Sequence, residues 1–391
     1  MTPTIAIVAP VHWLGDWRVL RTARAAVAIA PTALYVERRF LADSRAEARV
    51  PKGVVVRPIP DYPRTRLIWR LAVPRYAARV AATIAEARPR LVHVHDSGRL
   101  GLAVCAGTRR RLGDARIIFD YHDWIPIEVA NACRQQRWLY DRYLPLVLAL
   151  ARRRARSADR LVATSAKHTE LAAAQLGIAR TLAIENVRPS VRVPPFDEAR
   201  LTPTLLFAGA IMAVRGLETL VEALAALGGE VQAVLCGSVD DPAYLRQVMG
   251  LAERLGVANR IRHVGAFTSD GDIRRQVRRG AIGTVFALAG QRWDSGFSAV
   301  ASGNKLFSYL TIGVPALVAA EYENMVAIAE GGGAGYRFES AAALARAAER
   351  IWHTPGEWDR LSANARAVAE RMNDETCTAD LTALYRELLA G

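Results

Sequence analysis

The sequence predicts an α/β protein of two domains, each built on a parallel sheet. Three observations carry that expectation. Short β-branched runs alternate with Ala-, Leu- and Arg-rich stretches of helical length, the pattern of βα units. The alternation stops at an irregular, proline-bearing segment and then starts again. The chain has 391 residues, 51% of them hydrophobic, which is enough for two packed cores.

In order, the first series of strand-like runs falls at residues 5–9, 33–36, 54–59, 91–95, 116–119 and 161–164. Residues 182–203 carry Pro189, Pro194, Pro195 and Pro203 and read as irregular. The second series falls at 205–208, 231–236, 261–264, 282–287, 316–319 and 336–338. The expected organisation is a first domain over 1–186, a linker over 187–203 and a second domain over 204–370. Residues 371–391 form a helix expected to pack back on the first domain. Open parallel sheets take ligands at the carboxyl ends of their strands. Two such sheets facing each other would place a substrate in a central cleft.

The net charge of +14 is uneven. Through Arg188 there are 32 Lys and Arg against 15 Asp and Glu, and beyond it 20 against 23. The first half is thus +17 and the remainder −3, which suggests an anionic partner such as phospholipid, a lipid phosphate or nucleic acid. No nucleic-acid motif accompanies the charge, so nucleic acid is not expected. Residues 69–80 and 138–156 read as helices with apolar and Arg-rich faces, and Arg152, Arg153, Arg154 and Arg156 cluster at the end of the second. Such helices can lie on anionic lipid, although a buried face beside a solvated one explains each alone. The four cysteines, Cys105, Cys133, Cys236 and Cys377, have neither zinc-ligand nor dense disulfide spacing and read as reduced thiols. No secretory signal is visible, and no apolar stretch approaches the roughly 20 residues that span a bilayer. A cytoplasmic protein is expected, with peripheral contact to the inner face of an anionic membrane as an option.

The segment Gly303-Asn-Lys-Leu-Phe-Ser-Tyr-Leu-Thr-Ile-Gly-Val-Pro315 is the most informative. It reads as a helix from about Asn304 to Gly313, followed by a buried strand. Its first turn offers free N–H groups and the positive end of the helix dipole, and Lys305 adds a full charge. That suits a phosphate, and an ordinary capped helix with a solvated lysine fits equally well. His122 follows a buried strand beside Asp120 and Asp123, where it could hydrogen-bond a substrate. His93 and His95 point to one face of a strand, half of a metal site with no third ligand evident. The loop His12-Trp-Leu-Gly-Asp-Trp17 carries Trp13, Gly15 and Trp17. Its tryptophans could stack on a sugar or pack between strand and helix. Gly331-Gly-Gly-Ala-Gly335 reads as a turn.

The 303–315 segment resembles the donor-site signature of the GT-B glycosyltransferases, family 4 in particular. Much of the chain is similar to that family in the same order. Leu91-Val-His-Val-His-Asp96, Phe119-Asp-Tyr-His-Asp123, Leu161-Val-Ala-Thr-Ser165 and Ile184-Glu-Asn186 resemble its amino-terminal motifs. Phe207-Ala-Gly209, Arg215-Gly-Leu-Glu218, Leu235-Cys-Gly237 and Val264-Gly265 resemble the start of its donor domain. The resemblance implies a GT-B fold of two Rossmann-like domains and a nucleotide-diphosphate sugar as co-substrate, with no other cofactor. It implies a donor site at Gly209, Arg215, Gly237, Asn304, Lys305, Leu306 and Ser308. It also implies an active-site histidine at His122 and an acceptor side at Trp13, Gly15, Trp17, Asp96 and Asp123. The acceptor would be a glycan, a lipid-linked glycan or a small molecule.

Two departures bear on the donor. The family's retaining members usually have Glu where Ser308 and Val300 stand, and the first normally accepts the ribose hydroxyls. Ser308 offers a neutral, weaker partner. The family often follows the Gly209 turn with an Arg and then a Lys, where this chain has Ala210 and Arg215. Arg215 and Lys305 would then be the two cations on the diphosphate. No Asp-x-Asp pair follows a strand, so no metal is expected. The implied activity is a metal-independent, retaining glycosyl transfer to an acceptor hydroxyl. An epimerase of the same fold and a degenerate binding protein are the alternatives.

Overall fold

The computed structural model describes residues 2–41, 47–63, 69–96, 98–122, 124–133, 136–187, 193–286 and 296–391, the side chains of 69–72 and 96 excepted. The chain divides into two compact units. One comprises Met1–Asn186, Ser295–Val300 and Asp374–Gly391, and the other Val187–Asp294 and Ala301–Asn373.

The first unit holds seven parallel strands, β1 (Ile5–Ala9), β2 (Thr32–Glu37), β3 (Val54–Ile59), β4 (Leu91–Asp96), β5 (Arg116–Tyr121), β6 (Arg160–Ala163) and β7 (Thr181–Ala183). Their spatial order is β3-β2-β1-β4-β5-β6-β7. The order reverses between β1 and β4, the position at which such sheets take ligands. β1 is apolar throughout and fully buried, as a central strand covered on both faces must be. β3 carries Pro58 and is half exposed, which fits its place at the edge. β7 corrects the sequence reading, which took residues from 182 on as irregular. Three residues on a sheet edge give too little alternation to be read.

The helix Trp17–Val27 follows β1 and starts at Asp16, whose side chain accepts from the Arg18 N–H at 2.9 Å. The helix Asp374–Ala390 packs along it. Buried Arg21 donates to Asp374 at 2.6 Å, Arg24 pairs with the same carboxylate, and Arg160 pairs with Glu387. The carboxyl-terminal helix is thereby part of the first unit.

The second unit holds six parallel strands, β8 (Thr204–Ala208), β9 (Gln232–Cys236), β10 (Ile261–His263), β11 (Ala281–Val285), β12 (Ala316–Ala319) and β13 (Gly335–Phe338). They run in the order β10-β9-β8-β11-β12-β13, and the switch point lies between β8 and β11. Buried Trp352 and Trp358 donate their indole N–H groups to Gly280 and Ala281, fixing the late helices onto β11. Among the described residues no helix is long and apolar enough to cross a membrane.

Candidate functional site

In the first unit the switch point collects a buried polar cluster. β4 presents His93 and His95 on one face, stacked at 4.5 Å between ring centroids. Both are fully buried. β5 brings Asp120 beside them. His93 Nε2 lies 3.3 Å and His95 Nδ1 3.4 Å from its carboxylate. Arg18 donates to both Asp120 oxygens from Nε at 3.2 Å and from Nη2 at 2.8 Å, and its Nη1 reaches the Ile184 carbonyl at 2.7 Å. On the far side His93 Nδ1 meets the Tyr385 hydroxyl at 2.7 Å.

His122, just past β5, is the member of this cluster that reaches solvent, with its side chain 13% exposed. Its Nε2 is 3.3 Å from Asp120 and 3.0 Å from His95 Nδ1. His12 stands edge-on to it at 4.8 Å and pairs with Asp16 at 3.1 Å.

Burial pushes the Asp120 carboxyl up, but the Arg18 guanidinium, His122 and His95 overcome this and hold it well below the usual range. Burial lowers His93 and His122, and lowers His95 strongly, against the pull of Asp120. At neutral pH the cluster therefore holds one anion, one guanidinium and uncharged imidazoles. Such imidazoles hydrogen-bond hydroxyl groups. Asp120 is committed to Arg18, so it is not disposed as a nucleophile. Breaking a buried pair of this kind costs about 3–5 kcal/mol.

This geometry corrects the reading of His93 and His95 as lacking a third ligand. The donor atoms of His93, His95 and Asp120 lie within 4.8 Å of one another. The charge of Arg18 on the same carboxylate nevertheless opposes a cation there, and the three groups fit a hydrogen-bonded network better than a metal site.

Trp13 is 46% exposed, and its ring covers Gly15, where a Cβ would meet it at 2.4 Å. Trp17 is half-buried at the helix start. Asp96 ends β4, but its side chain and all of Asp123 lie outside the described residues. Sequence reasoning missed His12 and Arg18. The signal for Arg18 was an arginine in the first turn of a helix, where a cation opposes the dipole unless something else holds it.

In the second unit, three elements converge at the switch point. Gly209 follows β8 and Gly237 follows β9, and a Cβ on Gly237 would lie 1.8 Å from the Gly209 carbonyl oxygen. The helix Asn304–Thr311 presents Lys305, whose stem crosses the bare face of Gly209. Its ammonium sits 4.5 Å from the Phe207 ring centroid. Tyr309 pins this helix in place. Its hydroxyl accepts from Ala208 N–H at 2.8 Å and donates to the Thr284 carbonyl at 3.2 Å.

Burial, and then the nearby charge of Arg215, lower the Lys305 ammonium to about 7. Neither cation has an acidic partner among the described residues. Arg215 Nε, Asn304 Oδ1 and Ser308 Oγ are buried and make no hydrogen bond. Ser308 is 1% exposed. Each such atom costs about 1–3 kcal/mol until something pairs with it. Leu306 is fully buried and its N–H donates to Gly303, so its side chain belongs to the core.

Two units, each on a parallel Rossmann-like sheet with its own switch point, are the architecture of the GT-B fold. Residues 17–186 match the family model of Glycosyltransferase Family 4. The fold of the whole chain is similar to that of HepE from Anabaena in complex with UDP, with a TM-score of 0.72 at 16% identity over 98% of this chain and 99% of that one. A glycosyltransferase from Rickettsia africae gives 0.69 at 13% identity, covering 98% of each chain. WaaG, a glycosyltransferase involved in lipopolysaccharide biosynthesis, gives 0.63 at 17% identity over 97% of this chain and 99% of that one. At these identities the likeness is one of fold. No curated protein sequence matches the chain.

Proposed function

We propose that the protein transfers a sugar from a nucleotide-diphosphate donor to an acceptor hydroxyl, with retention of configuration and without a metal. The observation that carries the reading is that Arg215 lies near enough to Lys305 for its charge to lower the ammonium, at the start of a helix whose Asn304 Oδ1 and, one turn on, Ser308 Oγ are buried and unpaired. Two cations with no acidic partner beside free helix N–H groups suit a diphosphate. They also stabilise it as it leaves. HepE, similar in fold, is described in complex with UDP and with UDP-glucose, which supports a nucleotide sugar as donor here.

In the proposed step the bond from the anomeric carbon to the diphosphate oxygen breaks and its electrons stay with the diphosphate. The acceptor oxygen bonds to the same face of that carbon. Its proton passes to the departing diphosphate oxygen, so no side-chain base is consumed. His122, uncharged and at the solvent end of its cluster, would hold the sugar by hydrogen bonds. Asp120 and Arg18 fix its ring.

Calorimetry with uridine and thymidine diphosphates tests the donor site. Lys305→Ala and Arg215→Ala are each expected to weaken binding by about 1–3 kcal/mol. Wild-type affinity in both variants would remove the site. Turnover is expected to persist in EDTA, since the two cations supply the charge a metal would otherwise bring. Activity lost to EDTA and restored by magnesium or manganese would refute the metal-free step.

A further inference from the structure

We propose that a cavity inside the first unit binds the apolar chain of an anionic amphiphile, and that the acceptor is such a molecule. The clause about the acceptor rests on the glycosyltransferase reading; the cavity does not. The cavity has a volume of about 510 Å3, within the roughly 300–1,000 Å3 of small-molecule sites. It lies among the helices Trp69–Glu86, Arg99–Arg111, Ile125–Ala132 and Arg137–Ala155. Val11, Val73, Leu100, Val129, Val147 and Leu150 make its walls apolar.

Three features specify the occupant. First, the wall continues onto an exposed apolar surface. Tyr143 and Leu150 line the cavity and are still 41% and 47% exposed, and Leu146 on the same helix is 66% exposed. Second, the polar lining is cationic. Arg99 is matched by Glu128 at 3.1 Å. Half-buried Arg154 has no acidic partner among the described residues. Burial, then Arg110 and Arg99, push its guanidinium down. An anionic group there would relieve that repulsion. Third, the cavity reaches Val11, the neighbour of His12 and hence of the cluster around His122. Val11 adopts φ +59, a rare conformation for a β-branched residue. Its N–H donates to the buried Glu37 carboxylate at 3.3 Å. Such strain is held where the chain needs a fixed path.

The test uses the full chain with decyl phosphate, decanol and inorganic phosphate as probes, and uridine diphosphate as the control for fold and donor site. The wild type is expected to bind decyl phosphate about tenfold more tightly than decanol, a charged hydrogen bond's worth. Inorganic phosphate should not displace it. Ala132→Trp and Val147→Trp, which fill the cavity, should each weaken decyl phosphate by about tenfold or more, a loss of about 1.4 kcal/mol. Arg154→Gln should erase the preference over decanol. Uridine diphosphate binding should not change in any of them.

Equal binding of decyl phosphate by wild type and both tryptophan variants would overturn the proposal, as would displacement by inorganic phosphate. A concentration-dependent dimer in sedimentation that decyl phosphate leaves intact would overturn it too, because a second copy would then cover the apolar face. If decyl phosphate binds as expected while no nucleoside diphosphate does, the transferase reading fails and the cavity stands.

Discussion

The electrostatics of one residue, Lys305, bear directly on the proposed donor site. Its ammonium is lowered to about 7 by burial and by Arg215, against 10.5 for an ordinary lysine. In the unliganded protein the unfolded chain holds this proton more tightly than the folded one. The cost is therefore fully present below about pH 7 and is lifted as pH rises towards 10.5. Donor binding at the proposed site would run the other way, because a diphosphate needs the charged form. Affinity for a nucleoside diphosphate should fall as pH rises above 7, by up to about tenfold per pH unit. Lys305→Arg should flatten that profile, since a guanidinium stays charged. A wild-type profile that is flat from pH 7 to 9 would show that Lys305 does not meet the diphosphate. Ser308 sets the second residue-scale expectation. Its buried, unpaired hydroxyl is a neutral partner, so it should discriminate weakly between ribose and deoxyribose. Ser308→Glu should favour uridine or guanosine diphosphate over thymidine diphosphate relative to wild type. If wild type already prefers the ribonucleotide by about a hundredfold, another residue reads the sugar.

At the scale of elements, the proposed donor site depends on the turns after β8 and β9 being in contact. The Gly209 N–H donates to the Cys236 carbonyl at 2.8 Å, and Gly237 lies against the Gly209 carbonyl with no room for a Cβ. Gly237→Ala must push these two turns apart. It should cost about 1–3 kcal/mol or more, read as a lower denaturant midpoint, and should weaken diphosphate binding because Lys305 rests on Gly209. Gly113→Ala, where a Cβ meets nothing within 4 Å, is the control. Equal midpoints for the two variants would mean that the turns tolerate a side chain. These elements also show what the sequence could reveal. The Asn304–Thr311 helix, its glycine stop and the strand after it are written in consecutive residues, so these elements were legible. The strands at the switch points were legible for the same reason, each being a short run rich in apolar residues. The Asp120 cluster was not. Arg18 is 102 residues from Asp120 and Tyr385 is 292 from His93, so these partners follow from topology alone. The apolar cavity was equally hidden, because its walls come from four helices that look individually ordinary.

For the whole molecule the charge distribution is the property that no single element explains. The chain through Arg188 carries +17 and the remainder −3. The positive part includes the helix Arg137–Ala155, which leaves Trp138 67% and Leu146 66% exposed and ends among exposed Arg153 and Arg156. Exposed apolar side chains beside a basic cluster suit an anionic membrane surface, where each arginine contributes about 1 kcal/mol near the headgroups. Binding to phosphatidylglycerol vesicles should have two parts. The electrostatic part should fall with salt, as screening shortens to about 10 Å at 0.1 M, and should drop in an Arg153→Glu/Arg156→Glu double variant. The remainder should resist salt and drop in Trp138→Ala/Leu146→Ser. Neutral phosphatidylcholine vesicles should retain little protein. Co-sedimentation across salt concentrations separates the two parts. Protein left in the supernatant with phosphatidylglycerol at low salt would refute membrane contact and point to an acceptor drawn from solution.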